Sequence, residues 1–163
     1  MSYRNKTYVA FDADNDIKYY RLMQAWVSND NMDFDFHNAH DLAQLRATSS
    51  EDTIKRRLRE RLNNTKQMIV LVGDSTKNLY KFVRWEMEQA INLDIPIIAA
   101  NLDKATEATS KTPAILKERA YFVNVPFGPR KIKYALDHFP SEYTRNKKQA
   151  PSSRIYDWSK IIL

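Results

Sequence analysis

One carboxylate, Glu86, follows closely on a polar segment, Gly73-Asp74-Ser75-Thr76, which itself ends the apolar run Met68–Val72. An apolar run of that length between turn residues suits a strand covered on both faces. In open α/β sheets the ligand crevice lies beyond the carboxyl ends of such strands. Glu86 then stands in the first turns of the next helix and is aimed at that crevice. There a carboxylate can stabilise positive charge developing on a substrate. Two plainer roles compete: a surface glutamate favoured by the helix dipole, or an ion-pair partner of Arg84 or Lys81. Glu88 is the rival carboxylate, but two residues further along a helix it faces another side.

Composition removes several other chemistries. The chain has no cysteine, so disulfides, thiolate metal sites and thiol nucleophiles are excluded. Two glycines in 163 residues cannot build a Walker loop or a dinucleotide fingerprint. The histidines, His37, His40 and His138, form no convincing metal set, and no Ser-His-Asp set stands at recognisable spacing. No run approaches the length of a membrane span, and the first residues lack the apolar segment of a signal peptide. A cytoplasmic location is the simplest expectation.

The elements that must hold these residues follow from hydrophobic period. Thr7 to Phe11 is β-prone and leads into a polar loop, Asp12-Ala13-Asp14-Asn15-Asp16, in which Asp14 to Asp16 can cap a helix over Ile17 to Val27. Met32 to Phe36 alternates apolar and polar, the mark of a half-exposed edge strand, and Asp41 to Leu45 suits a short helical turn. Ser50-Glu51-Asp52-Thr53 opens a helix running to Leu62, with Ile54, Leu58 and Leu62 on one stripe. Lys55, Arg56, Arg57, Arg59 and Arg61 face solvent. A strand at Gln67 to Val72, a helix from about Tyr80 to Leu93 and a strand at Ile95 to Asn101 come next. A short helix at Pro113 to Arg119, a strand at Tyr121 to Val125 and a helix at Pro129 to His138 complete the series.

Strands alternating with helices mean a parallel sheet with helices on both faces. The expected fold is α/β, a single flavodoxin-like three-layer sandwich with a five-stranded parallel sheet in the order 2-1-3-4-5. Residues 1–140 form the domain. Residues 141–163 form a basic extension of low order, packing back through Tyr156-Asp157-Trp158 and Ile161-Ile162-Leu163. The net charge is +6, and from Pro129 onward eight cations against three carboxylates supply +5 of it. A basic tail attracts anions or nucleic acid. The simpler reading is a solubilising surface, since no aromatic–basic pattern of an RNA binder accompanies it, and nucleic acid is not an expected partner.

Taken together the residues resemble a known family, the TIR-like domains of the ThsB type from the Thoeris anti-phage system. The likeness rests on Ala10-Phe11 before a polar loop, Asp35-Phe36-His37-Asn38-Ala39, and Leu62-Asn63-Asn64-Thr65. Most specific are Val70-Leu71-Val72-Gly73, Thr76 and Phe82-Val83-Arg84-Trp85-Glu86. It covers about residues 6 to 103, and thins beyond. Phe82 stands where the family often has Trp, and Trp85 where it has Tyr or a similar ring. The resemblance implies an enzyme that cleaves the nicotinamide–ribose bond of NAD and makes an ADP-ribose-derived signal. NAD is then the substrate, and no further cofactor is expected. It also implies homo-oligomers through TIR-like surfaces, and a separate effector reached through a diffusible nucleotide. The family's catalytic glutamate falls on Glu86.

Around Glu86 several residues have two readings each. Phe11 stacks on a ligand ring or lies in the core. Asp12 and Asp14 bond ribose hydroxyls or cap a helix. His37 and Asn38 line the crevice or simply face water. Ser75 and Thr76 offer hydroxyls or amides to phosphate, or cap. Two other functions stay open. One is a non-catalytic TIR-like assembly module. The other is a receiver-like binder using Asp12, Asp14, Asp16 and Asp74, although Asn124-Val125-Pro126 stands where a receiver needs a lysine.

Overall fold

The computed structural model describes residues 7–29 and 50–163. Five strands and five helices occur among them. β1 (Thr7–Ala10) leads to α1 (Ile17–Ser28); α2 (Glu51–Asn63), β2 (Gln67–Val72) and α3 (Val83–Asn92) follow. Then come β3 (Ile97–Asn101), α4 (Ala114–Arg119), β4 (Tyr121–Pro126), α5 (Pro129–Asn146) and β5 (Ser152–Ile155). Single 3-10 turns sit at Thr76–Asn78 and Lys147–Gln149.

Every strand pair is parallel, and the sheet order is β1-β2-β3-β4-β5. β1 to β4 are buried along their whole length, as strands covered on both faces must be. Alternate side chains feed two cores. Val9, Ile69, Leu71, Ile98 and Val123 pack with Tyr20 and Met23 of α1 and Ile132, Leu136 and Phe139 of α5. Tyr8, Met68, Val70, Ile97 and Phe122 pack with Ile54, Leu58 and Leu62 of α2, Val83, Met87 and Ala90 of α3, and Ile115 and Leu116 of α4. The expected stripe of α2 is therefore its buried face, and Ser50 caps it, the hydroxyl accepting from the Thr53 amide at 3.3 Å. Truncating a fully buried leucine such as Leu58 would cost about 2–5 kcal/mol. The architecture is the expected α/β three-layer sandwich.

The expected order 2-1-3-4-5 needs its second strand at Met32 to Phe36. That segment, and the helical turn expected at Asp41 to Leu45, lie outside the described residues. The described order differs because the sheet gains β5 from the tail. The Ser152 amide donates to Ala120 O at 3.0 Å, and Asn124 is level with Ile155. α5 also runs on to Asn146, with Pro140 inside it. Proline removes one helical hydrogen bond. Here Phe139 and Tyr143 both pack on Tyr121, with ring centroids 5.6 and 6.4 Å away, and hold the last turns to the sheet. The expected domain limit at residue 140 thus falls within α5. The last segment packs back: Tyr156 is buried, its hydroxyl donates to Glu142 Oε2 at 3.1 Å, and Trp158 meets Tyr134 edge-on.

The paired registers bring the C-terminal ends of β1 to β4 to one rim: Ala10 lies beside Val70, Val72 beside Asn101, and Asn101 beside Pro126. Everything that follows concerns the loops on that rim.

Candidate active site

Beyond β1 and β2 the rim opens into a cleft of about 450 Å³. Asp12, Ala13 and Asp14 form one wall, and the segment Asn78 to Val83 forms another. Tyr80, two-thirds exposed, and Phe82 give it aromatic surface. Lys81 is the cation of the described lining, and its Nζ lies 3.5 Å from Glu51 Oε2.

Glu86 belongs to the helix that closes this cleft. α3 begins at Val83, later than the expected Tyr80, because residues 76 to 82 first fold through a 3-10 turn and a second turn over 80–82. Its buried face is Val83, Glu86, Met87 and Ala90. Those positions make one stripe, so the carboxylate occupies a core-facing place on a face otherwise apolar. Glu86 is only 1% exposed. It is not itself in the described lining of the cleft; Val83, one turn before it on the same face, is. Burying a carboxylate is expensive, so this placement is not that of a solvated surface glutamate. Arg84 lies over Tyr80, and Lys81 pairs with Glu51. Glu88 faces solvent at 3.4 Å from Arg119.

The loop after β1 is organised by Asp12. This residue is 2% exposed and accepts four hydrogen bonds: Ser75 Oγ at 2.6 Å, Asn15 Nδ2 at 2.7 Å, and the amides of Asp14 at 3.0 Å and Asn15 at 3.3 Å. Burial alone would raise its carboxyl, but those donors outweigh it and hold it below the usual carboxylate value. The expected capping by Asp14 to Asp16 takes another form. Asp16 occupies the N-cap position of α1 without a side-chain cap bond, while Asp12 closes the turn ahead of it. The Asp12–Ser75–Asn15 set ties the loops after β1 and β2 together, with Asn15 Nδ2 also 3.2 Å from Ser75 Oγ.

Asp16 is the unusual member. It is 7% exposed, and its Oδ2 has no hydrogen-bond partner. Burial, then the carboxylates of Asp12 and Asp74, push it above the usual value against a smaller pull from Lys18. It lies against Gly73, where an added Cβ would stand 2.4 Å from Asp16 Oδ2. Any larger residue there has to push the Asp16 carboxyl aside. Thr76 then closes the strand end: its hydroxyl accepts from the Gly73 amide at 2.9 Å and donates to Leu71 O at 3.0 Å. Asp74 points outward and pairs with Lys111 at 2.8 Å.

The expected site residues therefore separate. Asp12 and Asp14 reach the cleft. Ser75 and Thr76 spend their hydroxyls on the loops, and the helix they were expected to start is a 3-10 turn of three residues. Phe11 is buried and stacks on Tyr20 with centroids 4.9 Å apart, outside the described lining. His37 and Asn38 lie outside the described residues. Sequence reasoning missed Asn15, Lys81 and Tyr80. An Asp followed two and three residues later by Asp and Asn is an Asx-turn signal, and it would have pointed to Asn15. Among the described residues no cluster of His, Asp or Glu could hold a metal ion, and no helix is long and apolar enough to cross a membrane.

The described residues thus form a parallel three-layer sandwich with a buried glutamate on the helix after its second described strand, beside a cleft on the carboxyl rim. The family model described as Thoeris protein ThsB, TIR-like domain, matches residues 8–107. The chain belongs to that family, and with it to the Thoeris group of anti-phage defence proteins.

Proposed function

We propose that this domain cleaves the bond between nicotinamide and ribose in NAD and turns the ADP-ribose moiety into a signal nucleotide. The observation that carries the proposal is the burial of Glu86 on the stripe that Val83 continues into the cleft. As nicotinamide leaves with the electron pair of the glycosidic bond, the ribose becomes cation-like. The carboxylate of Glu86, itself buried, stabilises that charge. An acceptor hydroxyl then adds to the ribose carbon and loses its proton. Tyr80 and Phe82 offer rings for a base to stack on. Asp12, already supplied with four donors, shapes the wall more than it bonds the substrate. Assembly with further copies through TIR-like surfaces, a cytoplasmic site of action and a downstream effector reached by the diffusing product belong to the same reading.

The test is nicotinamide release in phage-infected cells carrying wild type or Glu86→Gln, with the same assay on both purified proteins. Removal of one preorganised electrostatic group typically costs about 10²–10³ in rate. Glu86→Gln is expected to lose that much while its unfolding midpoint stays near wild type. Undiminished release by the variant would remove Glu86 from the chemistry. Release by neither protein in infected cells would favour the assembly module.

A further inference from the structure

The same rim carries a second cleft, of about 380 Å³, beyond the ends of β3 and β4. Its charged side chains are Lys104, from the loop after β3, and Arg130 and Lys131, from the start of α5; no side-chain carboxylate is in the described lining, and the lining residue Leu163 carries the chain-terminal carboxyl. Among the described residues none of these three cations has a carboxylate partner. Lys104 Nζ donates to Phe127 O and lies 5.5 Å from the centroid of the Phe127 ring. Lys131 Nζ sits 5.5 Å from the Trp158 ring centroid. Some cations elsewhere on the surface are matched, Lys55 with Glu51, Lys111 with Asp74, Lys133 with Asp137 and Lys147 with Asp94, but the three here are gathered around one hollow. Three unmatched cations around one concave site repel each other, and an anion relieves that repulsion.

The rest of the cleft narrows the choice of anion. Phe127, Pro129 and Leu163 give it an apolar wall. The volume suits one small molecule. The first amides of α5, an 18-residue helix, add positive potential at the same end. A guanidinium, two ammonium groups and helix amides together fit the tetrahedral oxygens of a phosphate better than a single carboxylate. We propose that this cleft binds a small organic phosphate, with its phosphate among Lys104, Arg130 and Lys131 and its apolar body against Phe127 and Pro129. The site lies apart from the Glu86 cleft and shares no described lining residue with it.

Two variants separate binding from folding. An added Cβ at Gly128 meets nothing within 4 Å, so Gly128→Asp puts a carboxylate at the α5 N-cap without a clash. Lys104 has a φ of 70°, the left-handed region that glycine prefers, so Lys104→Gly removes the charge and relaxes the backbone. The full chain is titrated with inorganic phosphate and with adenosine monophosphate while amide NMR signals of Gly128, Arg130 and Lys131 are followed. Both ligands are expected to shift those signals saturably, the organic phosphate roughly tenfold more tightly. Gly128→Asp and Lys104→Gly should lose the shifts and keep wild-type melting temperatures. No saturable shift at these amides overturns the proposal. So does equal binding by Gly128→Asp, and so does an organic phosphate that binds no better than the inorganic ion.

Discussion

The loops over β1 and β2 and the loops over β3 and β4 finish the same sheet on the same rim, yet they treat charge in opposite ways. The first pair draws carboxylates inward. Asp12 and Asp16 are both buried, one satisfied by four neutral donors and the other left with an unpartnered oxygen. The second pair pushes cations outward around a hollow and gives them no side-chain carboxylate. Neutral donors hold a charge in place and fix loop geometry, whereas unmatched cations leave attraction to spare for something that arrives. Similar open space thus serves two purposes: a shaped wall beside Glu86, and an electrostatic trap beside Gly128.

The largest effect that could break this contrast is catalytic. If the two clefts are separate, Glu86→Gln lowers nicotinamide release by about 10²–10³, while Arg130→Glu leaves it within about twofold, a difference of under 1 kcal/mol. Strong loss in both, read by the same assay, would merge the two clefts. Next in size is Gly73→Ala. Its methyl group must displace the Asp16 carboxyl, at a cost of about 1–3 kcal/mol in urea unfolding. In an Asp16→Ala background most of that cost should vanish; full additivity would mean the two residues do not meet.

Ser75→Ala should cost about 1.5–3 kcal/mol at neutral pH, since it strips a 2.6 Å bond from a buried carboxylate. Asp12 is held below its unfolded value, so its contribution is present above that unfolded value and is lost as pH falls through the folded one. The penalty of Ser75→Ala should therefore shrink in acid. Melting curves at several pH values check this, and a constant penalty would contradict it. Asp16 has the opposite sign. Its raised value means the folded chain keeps the proton longer than the unfolded chain, so wild type loses stability as pH rises through that interval. Asp16→Asn should gain on wild type with rising pH and not at the acid end. The smallest effect is Gly128→Asp, a gain of a few tenths of a kcal/mol in unfolding free energy from a better N-cap.

Much of this was legible in the residues. Met68 to Val72 is continuously apolar between Thr65-Lys66 and Gly73, and only a strand covered on both faces needs that. For α3 the spacing puts Phe82, Trp85, Gln89 and Leu93 on one side, with Val83, Met87, Ala90 and Ile91 widening it, whereas the buried face is Val83, Glu86, Met87 and Ala90 and Leu93 is exposed. What escaped has physical reasons. β5 is Ser-Ser-Arg-Ile, three of its four residues exposed, and an edge strand of that kind has no hydrophobic period to read. The helix expected over Pro129 to His138 runs on through Pro140 to Asn146, where rings around Tyr121 outweigh one missing hydrogen bond. Phe11 carried no mark to separate a ligand-stacking ring from a core one; Tyr20, on the next helix, decides it. The destination of each loop carboxylate depends on donors such as Ser75, far away in the chain and near only after folding.

The four unremarkable residues of β5 have a practical consequence for anyone handling this protein. They cover one side of Tyr-Phe-Val-Asn-Val, an uncharged and strongly β-prone stretch. A deletion beginning before Ser152 would leave its backbone amides and carbonyls open to the matching edge of another molecule. Insolubility of such a shortened product would then report a lost guard strand, and should not be mistaken for evidence that the tail performs chemistry.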